Sequence, residues 1–175
     1  ICERSPQIAI NVSAKQVNEN QFTKRLKEIL DLYHMEPGRI EIEITESIQL
    51  EENREMRAKI IGAKKLGLSI SIDDFGTGYS SLYYLKYIAA NRIKLAKELI
   101  DHIVTDQYSY SIVKAVVEIA DTRGIRVLAE GVETKEQLDC LKQIGCHEIQ
   151  GFYFGKPLSS DEAIQMWIQN YKKAE

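Results

Sequence analysis

The stretch "LSISIDDFGTGYSSL", residues 68–82, joins a short apolar run to two adjacent acids and a glycine-containing segment. Its alternation of Ser and Ile is typical of a β-strand, and Asp73 and Asp74 stand where that strand ends. Taken alone, the stretch fits a strand end with an Asp-rich turn as well as it fits a functional site. The other predicted strands are needed to choose between these two interpretations.

Short β-rich runs recur along the chain at intervals of roughly thirty residues, which is the length of a strand plus its crossover helix. The six runs are "QIAINVS" (7–13), "RIEIEITES" (39–47), "LSISIDDFG" (68–76), "NRIKLA" (91–96), "IRVLAEGV" (125–132) and "EIQGFYFG" (148–155). Amphipathic helical patterns lie between them, one of which opens with a capping box from Thr134 to Gln137. This alternation predicts a parallel sheet.

The position of the polar residues separates two parallel architectures. A doubly wound sheet gathers its site around one switch point, whereas a (β/α)8 barrel brings all its strand ends to one face. In this chain, polar side chains lie in or at the C-terminal halves of all six strands: Asn11, Glu43, Glu46, Asp73, Asp74, Lys94, Glu130 and Gln150. We therefore predict a TIM-like (β/α)8 barrel. A full barrel has about 250 residues, so we expect residues 1–175 to form one domain with about six βα units, whose first part precedes Ile1.

Composition argues against several classes of function. The chain carries 23 Lys and Arg against 26 Asp and Glu, a net charge of −3, without the basic stripe expected of a protein that binds a nucleic-acid duplex. Its three cysteines lack the paired spacing of a zinc site, which indicates reduced packing cysteines. No apolar run reaches the ~18 residues of a membrane span. We expect a cytoplasmic domain, and the full-length protein could still be membrane-anchored.

Carboxylates that converge on one barrel mouth repel one another and require positive charge. Mg²⁺ or Mn²⁺ fits best, because hard cations prefer carboxylate and amide oxygens and no His or Cys cluster suggests zinc. We expect Asp73 to bridge two ions, with Asn11 and Glu43 completing one site and Asp74 helping to hold the other. A two-metal site activates water and stabilises phosphoryl transfer, and Lys94 adds a positive donor. These features predict phosphodiester hydrolysis.

Six motifs in order carry a family resemblance: "NVS" (11–13), "EITES" (43–47), "DDFGTGYSSL" (73–82), "RIK" (92–94), "AEGVET" (129–134) and "QGFYFGKP" (150–157). They resemble the successive motifs of the EAL family of cyclic-di-GMP phosphodiesterases. The resemblance implies cleavage of cyclic di-GMP, a bacterial second messenger, to linear pGpG with two Mg²⁺ or Mn²⁺ ions.

The resemblance also implies a role for each matching position. The implied metal ligands are Asn11, Glu43, Asp73, Asp74 and Glu130; the implied catalytic residues are Lys94, beside the attacking water, with Glu130 and Asp74; and Gln150 is a polar residue next to them. Glu46 is implied to anchor the loop after the aspartate pair, which includes Phe75, Gly76, Thr77 and Gly78. In the family this loop couples substrate binding, metal occupancy and dimer contacts. We therefore expect a homodimer through this loop, and a sensory or GGDEF-type domain in the full-length protein.

Some positions depart from the family pattern. The signature triplet does not stand on an early strand, and "EAI" at 162–164 lies in a predicted terminal helix. Ala96 stands where many members have Asp, and "IAAN" at 88–91, which ends in Asn91, replaces a more usual proline and aspartate before the lysine strand. Two hypotheses therefore remain: an active phosphodiesterase, or a degenerate domain that binds cyclic di-GMP or a partner protein without hydrolysis.

Overall fold

A computed structural model describes residues 6–46, 53–77 and 89–172, with side chains described as far as residue 169. Six strands form one sheet: β1 (Ile8–Asn11), β2 (Ile40–Thr45), β3 (Ser69–Phe75), β4 (Arg92–Leu95), β5 (Arg126–Ala129) and β6 (Glu148–Ile149). The α-helices are α1 (Ala14–Asn18), α2 (Phe22–Leu32), α3 (Arg54–Lys65), α4 (Lys97–Asp101), α5 (Gln107–Thr122), α6 (Lys135–Ile144) and α7 (Ser160–Lys172). A 3-10 turn at Pro37–Arg39 precedes β2.

The six strands are all parallel and neighbour one another in chain order from β1 to β6. They curl into a half-barrel with helices between them, so the predicted architecture is confirmed. The C-terminal ends of all six strands consequently lie along one rim, which is where the sequence placed its polar residues.

The hydrophobic core lies between the sheet and its helices. Alternate residues of the central strands supply it, because successive side chains of a strand point to opposite faces. These fully buried side chains are Ile42, Ile44, Ile70, Ile72, Ile93 and Leu95. The residues between them, such as Glu43 and Lys94, face the inside of the half-barrel, where they meet as an ion pair. The period-two alternation of each strand thus places apolar side chains in the core and polar side chains inside the half-barrel.

The helices begin and end at residues that act as helix start and stop signals in the sequence. Asn53 caps α3 by accepting a hydrogen bond from the Met56 N–H. The predicted capping box of α6 is present, with Thr134 and Gln137 each accepting from the other's backbone. Gly145 then ends α6 in the left-handed conformation (φ 93°). No helix in the described part of the chain is long and apolar enough to cross a membrane.

The sixth predicted strand, 148–155, is wrong for most of its length, because β6 has only two residues and the chain turns at 151–154. The turn forms where the backbone of Gly151 presses against Val132: a Cβ added to Gly151 would lie 2.1 Å from the Val132 carbonyl oxygen. The Tyr153 N–H donates to that same oxygen at 3.0 Å. The apolar residues of the motif therefore belong to a turn rather than to a buried strand.

The described cysteines agree with a packing role. Cys146 is buried, Cys140 is half-buried, and both are free thiols. Cys2 lies outside the described residues.

Candidate metal and catalytic site

Lys94 is the centre of the candidate site. Its ammonium contacts the Glu43 Oε1 and Asp73 Oδ1 atoms at 2.9 Å each and the Glu130 Oε1 atom at 3.0 Å. The four residues come from β2, β3, β4 and the position after β5, which are neighbours in the sheet. The curl of the sheet thus brings together four of the residues predicted from the sequence.

Charge in this cluster is unbalanced. Three carboxylates surround one ammonium, which leaves two negative charges uncompensated within it. Burial lowers the pKa of Lys94, but hydrogen bonds to Asp73, Glu43 and Glu130 outweigh it, so the net pKa lies above the usual value for lysine. Burial raises the pKa of Glu130; Lys94 opposes this shift, while the charges of Asp73 and Glu43 add to it. Lys94 is therefore a stable cation in an acidic pocket.

Carboxylate oxygens of Asp73, Asp74 and Glu130 all lie within 4.8 Å of one another. Asp74 reaches this position from a left-handed backbone conformation (φ 54°), and the register between β3 and β4 shifts at this point. Such conformations cost about 1–3 kcal/mol and occur at functional sites. Hard oxygen donors with excess negative charge suit Mg²⁺ or Mn²⁺, so the residues present fit the implied metal ions.

Asn11 and Gln150 form none of the contacts described for this cluster. Asn11 ends the edge strand β1, directly opposite Glu43 in the register, and its side chain is exposed. Gln150 follows β6 and is also exposed, while its backbone N–H donates to the Ala129 carbonyl oxygen at 2.8 Å. Among the described residues, neither side chain makes a hydrogen bond. The structure thus places both on the rim without bringing them into the Lys94 cluster.

Glu46 joins the end of β2 to the start of the loop that follows β3. Its Oε2 atom accepts a hydrogen bond from the Gly76 N–H at 2.7 Å, and its own N–H donates to the Asp73 carbonyl oxygen at 3.1 Å. The Thr77 hydroxyl donates to the Asp74 carbonyl oxygen at 3.0 Å, and Phe75 is buried in the core. Gly78, also predicted in this loop, lies outside the described residues.

The short helix α4 touches two loops of the site and was not predicted, because five residues carry little periodicity. A Cβ added to Gly76 would lie 2.4 Å from a Leu99 methyl, and one added to Gly131 would lie 2.5 Å from the Lys97 Cγ atom. Both glycines have positive φ angles. The glycines in "DDFG" and "AEGV" are the sequence signal for this close packing.

The two substitutions relative to the family pattern have different structural settings. Asn91 keeps the acceptor role that an acid would have, since its Oδ1 atom accepts from the Ile70 N–H at 3.1 Å. Ala96 is fully buried at the start of α4, which begins without a side-chain cap. The ion pairs of Lys94 do not involve either residue.

A second charged layer lies at the opposite, N-terminal ends of the strands. Arg92 on β4 pairs with the buried Glu41 of β2 and contacts the Glu148 Oε2 atom at 2.6 Å. Arg126 adds a contact to Glu148 at 3.0 Å. This layer was not predicted, although its signal is visible in the sequence: charged residues stand two positions before Glu43, Lys94 and Gln150.

Comparison with known proteins gives close sequence relatives. The chain is 36% identical over 162 residues to the signaling protein YkoW of Bacillus subtilis, covering 93% of this chain and 20% of that protein. It is 34% identical over 157 residues to the bifunctional diguanylate cyclase/cyclic di-GMP phosphodiesterase MucR of Pseudomonas aeruginosa, covering 90% of this chain and 23% of that protein. The chain spans between 19% and 27% of the length of such curated relatives.

Solved structures show the same fold. The PaMucR phosphodiesterase in complex with c-di-GMP matches with a TM-score of 0.82 at 34% identity, over 90% of this chain and 64% of that one. Klebsiella pneumoniae BlrP1, in a manganese and cy-diGMP complex, matches with a TM-score of 0.78 at 32% identity, over 86% of this chain and 39% of that one. The EAL domain family model matches residues 3–157. The chain therefore belongs to the EAL domain family.

Proposed function

We propose that this chain is the larger part of a phosphodiesterase domain that hydrolyses cyclic di-GMP to linear pGpG. The observation that carries the proposal is the Lys94 cluster, in which Glu43, Asp73 and Glu130 converge from neighbouring strands. The relatives support the substrate, since MucR is named a cyclic di-GMP phosphodiesterase and its structure contains c-di-GMP.

In this reaction, a water oxygen bonds to one phosphorus and the P–O3′ bond breaks. The water gives up a proton, and the departing O3′ takes one up, which leaves the 5′-phosphate of pGpG. Two Mg²⁺ or Mn²⁺ ions would lower the pKa of the water and offset charge on the phosphoryl oxygens. Asn11, Glu43, Asp73, Asp74 and Glu130 are the residues that would hold them.

The side chains of this chain have distinct parts in that reaction. Lys94 stays an ammonium, so it orients the water by donating a hydrogen bond and does not accept the water's proton. Glu46 holds the start of the loop after Asp74 through Gly76. Gln150 lies on the same rim, where a polar side chain can contact the substrate.

Exposed apolar side chains at both edges of the sheet support a further proposal about the domain. Ile8 and Ile10 are exposed on β1, and Phe152 and Phe154 are exposed after β6. We propose that additional βα units, preceding Ile1 in the full-length protein, cover these edges and close the barrel. A sensory or GGDEF-type domain and a homodimer through the loop after Asp74 belong to the same proposal, and light scattering on the full-length protein tests the dimer.

Turnover by the full-length protein tests the function. We expect release of pGpG from cyclic di-GMP in Mg²⁺ or Mn²⁺, and its loss in the Asp73→Ala variant. Asp121→Ala is the matched control, because Asp121 is an exposed acid on α5 outside the site. Turnover of the unmodified protein no greater than that of Asp73→Ala would refute hydrolysis. Calorimetric binding of cyclic di-GMP without turnover would instead support the receptor alternative, whose motive is the departure from the family pattern at Ala96.

A further inference from the structure

Lys94 is a buried lysine whose partners are all acids of the site. Its side chain is 8% exposed, and its ammonium binds three carboxylates from three other segments of the sheet. Among the described residues, Lys94 is the only cation that forms an ion pair with Glu43, Asp73 or Glu130. Without it, these acids would face one another at short range in a partly buried setting, which is electrostatically unfavourable.

The ammonium contacts one oxygen of each carboxylate. The second oxygen of each group is then left for another cation, so Lys94 orients the acids that a divalent ion would use. An ion held by those second oxygens would lie close to the positive charge of the same ammonium. Coulomb repulsion between two cations at such distances is strong even at an effective dielectric constant near 20, so the charge of Lys94 opposes the binding of that ion.

We propose that Lys94 is a resident counter-ion of the acidic site: it holds the three carboxylates together when divalent ions are scarce, and its charge weakens divalent-ion affinity. This inference rests on the proposed function for the identity of the ions. It adds a role in metal affinity and stability to the role of Lys94 beside the attacking water. Divalent-ion occupancy would therefore respond to ion concentration over a range that Lys94 sets.

Lys97 provides a matched comparison within the same chain. Like Lys94 it binds more than one carboxylate, here those of Asp101 and Glu133, but its side chain is 47% exposed. Exposed pairs of this kind contribute little to stability. Replacement of each lysine by Met removes the same charge from a buried and from an exposed setting.

The test compares Lys94→Met with Lys97→Met in the full-length protein, using Mn²⁺ alone as the probe. In EDTA we expect Lys94→Met to lower the melting temperature by several degrees, and saturating Mn²⁺ to restore it. Titration calorimetry should show Mn²⁺ binding at least about tenfold tighter than in the unmodified protein. Lys97→Met should change neither quantity. Unchanged Mn²⁺ affinity and unchanged melting in Lys94→Met would overturn the proposal.

A double variant separates charge from packing. In Lys94→Met/Glu43→Gln one acid is neutralised together with the cation, so we expect the melting temperature in EDTA to be higher than that of Lys94→Met. A melting temperature no higher than that of the single variant would show that lost packing causes the instability, and would also overturn the proposal. Neither measurement uses turnover, so an inactive protein could still confirm the counter-ion role, and an active one could refute it.

Discussion

The Glu46 carboxylate accepts a hydrogen bond from the Gly76 N–H at 2.7 Å, across thirty positions of sequence. This contact ties the end of β2 to the start of the loop that follows β3, directly after Asp73 and Asp74. A hydrogen bond to a charged group contributes about 1.5–3 kcal/mol.

We expect Glu46→Ala to weaken Mn²⁺ binding about tenfold while the melting transition stays cooperative, measured by calorimetry and circular dichroism. Glu46→Gln keeps an acceptor and should retain most of the affinity. Loss of the melting transition with unchanged metal dependence would contradict this role.

The second charged layer, at the N-terminal ends of the strands, should contribute to the stability of the fold rather than to catalysis. Arg92 is 15% exposed and its partner Glu41 is 1% exposed, so Arg92→Met leaves a buried acid without its main partner. Breaking a buried ion pair costs about 3–5 kcal/mol. Arg126→Met, at a side chain that is 48% exposed, should cost less than about 1 kcal/mol. Urea unfolding measures both losses, and equal values for the two variants would argue against a buried network.

Gly151 is expected to matter for the site more than its stability effect suggests. Ala at this position would place a Cβ against the Val132 backbone. Residue 151 directly follows Gln150, and Val132 lies two residues after Glu130. Gly145→Ala is the control, since Gly145 has positive φ but open space around it. Gly145→Ala should lose about 1–2 kcal/mol through its left-handed backbone, and Gly151→Ala should lose more, because backbone has to move away from the added Cβ. Only Gly151→Ala should also reduce cyclic di-GMP turnover, and equal turnover in the two variants would refute a positioning effect.

Cys146 gives a pH dependence that is independent of the metal site. Burial raises the pKa of its thiol from 9.0 to about 11 in the folded protein. Between these values the unfolded chain loses the proton first, so stability falls as the pH rises. We expect the stability advantage of the unmodified protein over Cys146→Ala to shrink by about 2 kcal/mol from pH 9 to pH 11. Denaturant titrations at both pH values measure it, and a constant difference would contradict the shift.

The sequence was sufficient for the parallel half-barrel and for the residues on its rim. Period-two alternation and strand ends are local signals, and residues such as Glu43, Asp73 and Lys94 could be placed on adjacent strands without coordinates. The contacts of Lys94 could not be predicted, because they depend on the curl of the sheet. The turn at Gly151 was missed for a similar reason, since the Val132 backbone that excludes a longer strand is distant in sequence.

The left-handed backbone of Asp74 makes its identity informative about selection. Glycine would adopt that conformation without strain, and asparagine would tolerate it, but neither provides a carboxylate. A lineage in which the acidic cluster no longer served a purpose would gain stability by drifting to glycine at this position. The residue aligned with Asp74 in related chains is therefore a record of whether each lineage still needs the charge.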